Sequence, residues 1–145
     1  MKAPSWRRAV LKVGSALIAP DETGVSTKYL LPIARFINEC HERGQEVVLV
    51  SSGSVAAGRK HIHFEHKKVP VAVRKAMSAV GQNEMMGYWS RFFDFPCAQL
   101  LMTHSDLRDR ARYVSIKNTL NRLLEHNILP VVNENDALAT DEMKV

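Results

Sequence analysis

The chain has 145 residues, 46% hydrophobic and 24% charged, enough for one packed core and too few for two domains of ordinary size. Its longest apolar runs, Ala16 to Ala19 and Val47 to Val50, fall far short of the roughly 20 residues of a bilayer-crossing helix, so no membrane association is expected. The net charge of +5 is concentrated between Arg59 and Lys75, where six basic residues face one acid, Glu65. Phe64 is the one Phe, Trp or Tyr in that stretch, which leaves base stacking poorly served and argues against a nucleic-acid partner. Cys40 and Cys97 form no Cys-x-x-Cys or zinc spacing, and Met1 to Arg8 leads into no secretory core, so a reducing, cytoplasmic location is expected.

In chain order, Ala9-Val10-Leu11-Lys12-Val13 reads as a buried strand closed by Gly14-Ser15, with Lys12 as its one interruption. Ser26 or Thr27 caps a helix whose apolar face is Leu30, Ile33, Ala34 and Ile37 and whose stop is Gly44; Pro32 fits only near its start. Val47 to Val50, apolar on both faces, has the pattern of a central parallel strand. Ser54 to Gly58 opens a helix, His61 to Lys68 reads as a solvated loop, and Pro70 starts a long helix, or two joined near Gly81. Cys97 to Met102 is a third strand. The charged run Asp106 to Arg112 leads into a helix with Tyr113, Ile116, Leu120, Leu123 and Leu124 on one face, stopped at Asn127. Ile128 to Val132 is a fourth strand, and Asn133 to Lys144 is polar and acidic. Strands alternating with helices predict a layered α/β sandwich around a mainly parallel sheet.

Ligands of such sheets bind beyond the carboxyl ends of the strands. Those ends are Lys12-Val13-Gly14-Ser15, Ser51-Ser52-Gly53-Ser54, Thr103-His104-Ser105-Asp106 and Asn133-Glu134-Asn135-Asp136. Glycine at a helix start bares backbone N–H groups for phosphate, and a lysine ending an apolar strand must reach water or meet an anion. Gly53 to Lys60 nearly spells a phosphate-binding P-loop, but Arg59 and Lys60 replace its lysine and hydroxyl, so that reading is rejected. His61, His63 and His66 lack a further ligand nearby; no metal site is expected there.

Five blocks carry a resemblance: Val10 to Ser15, Val48 to Arg59, Ala79 to Gln82, Ala98 to Thr103 and Val132 to Ala137. Together and in this order they resemble the N-terminal part of the amino acid kinase family, and the Asn-Glu-Asn-Asp block favours its glutamate-phosphorylating branch. The resemblance implies transfer of the ATP γ-phosphoryl group to the side-chain carboxylate of L-glutamate, giving γ-glutamyl phosphate for proline synthesis, with Mg²⁺ accompanying ATP. It makes Lys12 catalytic and ATP-binding, puts Gly14, Ser15 and Gly53 at the phosphates, and gives Ser52, Asp136 and Asn133 to glutamate. It also implies a homo-oligomer and a second, nucleotide-binding half following the position of Val145. Residues 1–145 then form the substrate-side part of one kinase domain, apparently incomplete at its C-terminus, with no second domain. The alternatives are another member of the family, or a noncatalytic glutamate-binding or subunit-association remnant.

Overall fold

The computed structural model describes residues 6–21 and 23–134. Four six-residue strands, β1 (Arg8–Val13), β2 (Glu46–Ser51), β3 (Cys97–Met102) and β4 (Leu129–Glu134), form one parallel sheet in the order β1-β2-β4-β3. The helices are α1 (Ser15–Ile18), α2 (Thr27–Glu42), α3 (Ser54–Gly58), α4 (Val71–Arg91), α5 (His104–Arg108) and α6 (Arg110–Glu125), with a 3₁₀ turn at Arg59–His61.

The direction of travel places the helices. Going from β1 to β2 and from β2 to β3 the chain moves the same way across the sheet, and right-handed crossovers put α2 and α4 on one face. The step from β3 back to β4 reverses, so α6 lands on the other.

The two faces are covered unequally. Under α2 and α4 lies a continuous core of Val13, Ile18, Leu30, Ile37, Leu49, Met85, Trp89 and Val131. Under α6 only Val48, Leu124 and Val132 are buried, with Leu100, Leu120 and Met102 packed around them. Val10 and Lys12 share this thinly covered face with Val48 and Val50, their partners in the β1–β2 register, and Val10 is 68% exposed.

Several local expectations hold for identifiable reasons. Ser26 caps α2, accepting a hydrogen bond of 3.3 Å from the Lys28 amide, and Gly44 closes that helix at φ +75°, a conformation open to glycine. The helix runs through Pro32 in its second turn. Asn127 adopts φ +57° after α6.

Of the two readings left open for the long helix the single element holds: α4 has 21 residues, and the missing side chain of Gly81 lets α3 approach it. Two other expectations are corrected. The run from Asp106 to Arg112 is broken at Asp109, whose carboxylate accepts a 3.0 Å hydrogen bond from the Arg112 amide and caps α6 after α5 has ended. Of the apolar face expected on α6, Leu124 is buried but Tyr113 is 46% exposed, because only the C-terminal half of the helix, through Leu120 and Leu124, packs on the described sheet.

Candidate active site

At the carboxyl edge the register aligns the strand ends: Val13 pairs Ser51, Val50 pairs Val132, and Leu101 pairs Asn133. The covering residues Leu120 and Leu124 lie in the C-terminal half of α6, so among the described residues the carboxyl end of that face is roofed by the short α5. The opening left there is a cavity of about 360 Å³. Its polar wall is Lys12, Ser52, Thr103, His104 and Asn133; its apolar wall is Val50, Met102, Leu107 and Val132.

Each polar group is fixed by its element. Lys12 ends the exposed-face row of β1 and forms no ion pair among the described residues. Ser52 follows β2, its amide donating a 2.9 Å hydrogen bond to the Val13 carbonyl, which ties the two strand ends together. Thr103 and Asp106 form a reciprocal cap on α5: the Thr103 amide donates to the Asp106 carboxylate at 2.8 Å, and the Asp106 amide donates back to the hydroxyl at 3.4 Å. Arg112 also reaches Asp106 at 3.4 Å, so this carboxylate is occupied in structure.

The turns after β1 and β2 lie against each other. Gly53 has φ +99°, and a Cβ there would come within 3.1 Å of the Ser15 Cα and the Ile18 Cβ. Gly14, at φ −79°, faces open space, and a Cβ added there would meet nothing within 4 Å. The fold therefore requires glycine at 53 but not at 14.

Lys12, Ser52 and Asn133, singled out from the sequence, thus share one cavity. Gly14, Ser15 and Gly53 form the paired turns beside it without lining it. Asp136 lies outside the described residues. Thr103 and His104 line the cavity too; the strand-end rule marks them, and the Thr-x-x-Asp cap is the further signal. Of the neighbouring serines, Ser51 and Ser54 are buried and structural: the Trp89 indole donates to the Ser51 hydroxyl at 3.1 Å, and Ser54 and Ser78 share a 2.8 Å hydrogen bond. A larger, shallow groove of about 550 Å³ runs along the outer side of α6 and holds none of these residues.

Among the described residues the cavity offers one cation, Lys12, with hydroxyls and no carboxylate, a set that suits an anionic ligand. Among the described residues no group of three or more His, Cys, Asp and Glu side chains could hold a metal ion. The class these features define is a parallel α/β domain with a lysine and hydroxyls at the carboxyl edge of its sheet, where such folds bind ligands.

The model of the amino acid kinase family matches residues 7–144, and the chain belongs to that family. It is 97% identical over all 145 residues to a glutamate 5-kinase of Idiomarina loihiensis, and 59% identical, also over its whole length, to glutamate 5-kinase 1 of Pseudoalteromonas translucida. Over 144 residues it is 51% identical to a glutamate 5-kinase of Salinibacter ruber. The chain spans about two fifths of the length of these relatives: 39%, 39% and 38% respectively.

Proposed function

We propose that this chain is the N-terminal, substrate-side part of a glutamate 5-kinase, which moves the γ-phosphoryl group of ATP to the side-chain carboxylate of L-glutamate. The observation that carries the reading is the meeting of Lys12, Ser52 and Asn133 in one cavity at the carboxyl edge of the sheet, in a chain so similar to proteins of that name.

A carboxylate oxygen of glutamate attacks the γ-phosphorus, the bond to the β,γ-bridging oxygen breaks, and ADP leaves. Such a transfer asks the protein mainly to position two anions in line and to neutralise charge on the moving group. Lys12 supplies that charge. The Ser52 hydroxyl and the Asn133 carboxamide orient glutamate, and Asp136 takes its ammonium group. Gly14, with the space beside it open, admits phosphate oxygens to the backbone, aided by Ser15 and Gly53 in the adjoining turn. Mg²⁺ would accompany ATP as part of that substrate and would supply neutralising charge on its phosphates. The reading extends to a cytoplasmic homo-oligomer without nucleic-acid partners; two free cysteines and the lack of any described helix long and apolar enough to cross a membrane are in keeping with it.

The test is glutamate-dependent ADP release by the protein that carries this chain, with a glutamate-binding titration on the same sample. Lys12→Ala is expected to lower kcat by at least about 10²–10³, the cost of removing a preorganised charge contact in a transition state. A near-normal kcat in that variant removes Lys12 from the chemistry. Glutamate binding without turnover favours the noncatalytic alternative.

A further inference from the structure

The most strongly charged surface of the molecule lies outside the cavity. Between Arg59 and Lys75, Glu84 takes one of the six basic residues, Lys60, at 3.7 Å and is also in close contact with His61, while Glu65 contacts His63 at 3.3 Å. Arg59, Lys67, Lys68, Arg74 and Lys75 form no ion pair among the described residues. Lys67, Lys68 and Arg74 are exposed. This charge therefore does no structural pairing, and its field is free to act on ligands.

Its position follows from the packing of α3 on α4. Ser51, at the end of β2, contacts Met85 and Trp89; Ser54 lies level with Gly81, and Gly58 level with Met77. The start of α4 thus runs on past α3, away from the sheet and on its carboxyl side. At 1.5 Å per helical residue, Arg74, about ten residues before the part of α4 that flanks Ser52, stands about 15 Å further along the helix, and Lys67 and Lys68 precede it in the chain. We propose that the basic face of segment 59–75 is an electrostatic collector that raises the local concentration of the anionic substrates of the neighbouring cavity. The inference rests on the kinase reading, since both substrates are then anions, one doubly negative as the magnesium–nucleotide complex and one singly negative.

The test is the triple variant Lys67→Glu, Lys68→Glu, Arg74→Glu in the full-length protein, with equilibrium affinities for MgATP and for L-glutamate measured at two salt concentrations. A glutamate in the first turn of α4 complements the helix dipole, so the variant is expected to keep its fold, which circular dichroism checks. At about 15 Å in water, with a Debye length of about 30 Å at 0.01 M and about 8 Å at 0.15 M, reversal is expected to weaken MgATP binding about thirtyfold at low salt and about two- to threefold at physiological salt. The singly charged glutamate should weaken by the square root of that, about fivefold at low salt. Affinities unchanged at low salt, or a loss that salt does not relieve, overturn the inference while leaving the kinase reading intact. If the unaltered protein binds neither ligand, the kinase reading itself fails and the collector with it.

Discussion

Replacing Gly81 with alanine sets two effects of opposite sign against each other. In the middle of a helix alanine is favoured over glycine by about 1 kcal/mol, so propensity alone predicts a more stable protein. The added Cβ, however, would stand 1.7 Å from the Ser54 carbonyl oxygen and 2.8 Å from the Gly58 amide nitrogen, where contacts under 3.0 Å are essentially never seen. Both obstacles are backbone, so α3 must move off α4 by more than 1 Å, and the 2.8 Å hydrogen bond between Ser54 and Ser78 goes with it. Overpacking of this kind costs about 3 kcal/mol at the upper end of its usual range, and the hydrogen bond about 1 kcal/mol. Set against the propensity gain, the net loss is about 3 kcal/mol.

Urea titration measures it. With a slope of about 2 kcal/mol/M, the midpoint should fall by about 1.5 M. Gly87 is the internal control: it lies in the same helix, a Cβ there meets only the Arg91 guanidinium at 3.8 Å, and Gly87→Ala should stabilise by about 0.5–1 kcal/mol. A Gly81→Ala protein as stable as its parent refutes the packing argument. Because Ser54 follows directly on Gly53 and Ser52, the same shift should also weaken glutamate binding.

Adjacent serines should separate stability from function. Ser51→Ala strands the buried Trp89 N–H and should cost about 1–3 kcal/mol in denaturation with glutamate affinity held, whereas Ser52→Ala should leave the melting curve in place and raise the KM for glutamate. Gly14→Ala, into open space at an ordinary φ, should keep full stability and lose ATP-dependent turnover; unchanged kinetics would free that turn of any phosphate role. His41, stacked on Phe95 at 3.9 Å, has its pKa lowered from 6.5 by burial, so the folded protein resists a proton that the unfolded chain accepts. Its contribution is present above pH 6.5 and declines as the pH falls below it. Stability measured from pH 7 to 5 should therefore fall less in His41→Phe than in the parent, and equal slopes would dismiss the assignment.

What is legible in the sequence follows the range of the forces involved. Strand runs and helical faces are averages over many residues, so all four strands, α2, the bulk of α4 and α6 can be read from apolar spacing, and parallel pairing from their alternation. The strand-end rule, which depends on topology rather than on contacts, marks the four ends that hold Lys12, Ser52 and Asn133, whereas the choice of Ser52 and Asn133 within those ends comes from the family resemblance. Features one residue wide do not. Four-residue α1 is too short to have a period. The break at Asp109 depends on one capping carboxylate inside a continuous charged run. Gly81 looks weak in a helix because periodicity sees the helix alone and not the Ser54 carbonyl lying against it.

The stretch Ser51-Ser52-Gly53-Ser54 shows how near in sequence structure and chemistry can lie. Strand alternation turns the Ser51 hydroxyl towards Met85 and Trp89, while Ser52 opens on the cavity. Gly53, at φ +99°, reverses the backbone against the Ser15 turn, and Ser54 is pinned to Ser78. Three of the four residues therefore hold the fourth. A motif match assigns importance to all of them alike; the direction of each side chain distinguishes the one that opens on the cavity from those that fix its position. Ser52 itself is held through its own amide to the Val13 carbonyl, so folding alone sets where its side chain starts, and on the proposed reading that part of the site is in place before either anion arrives.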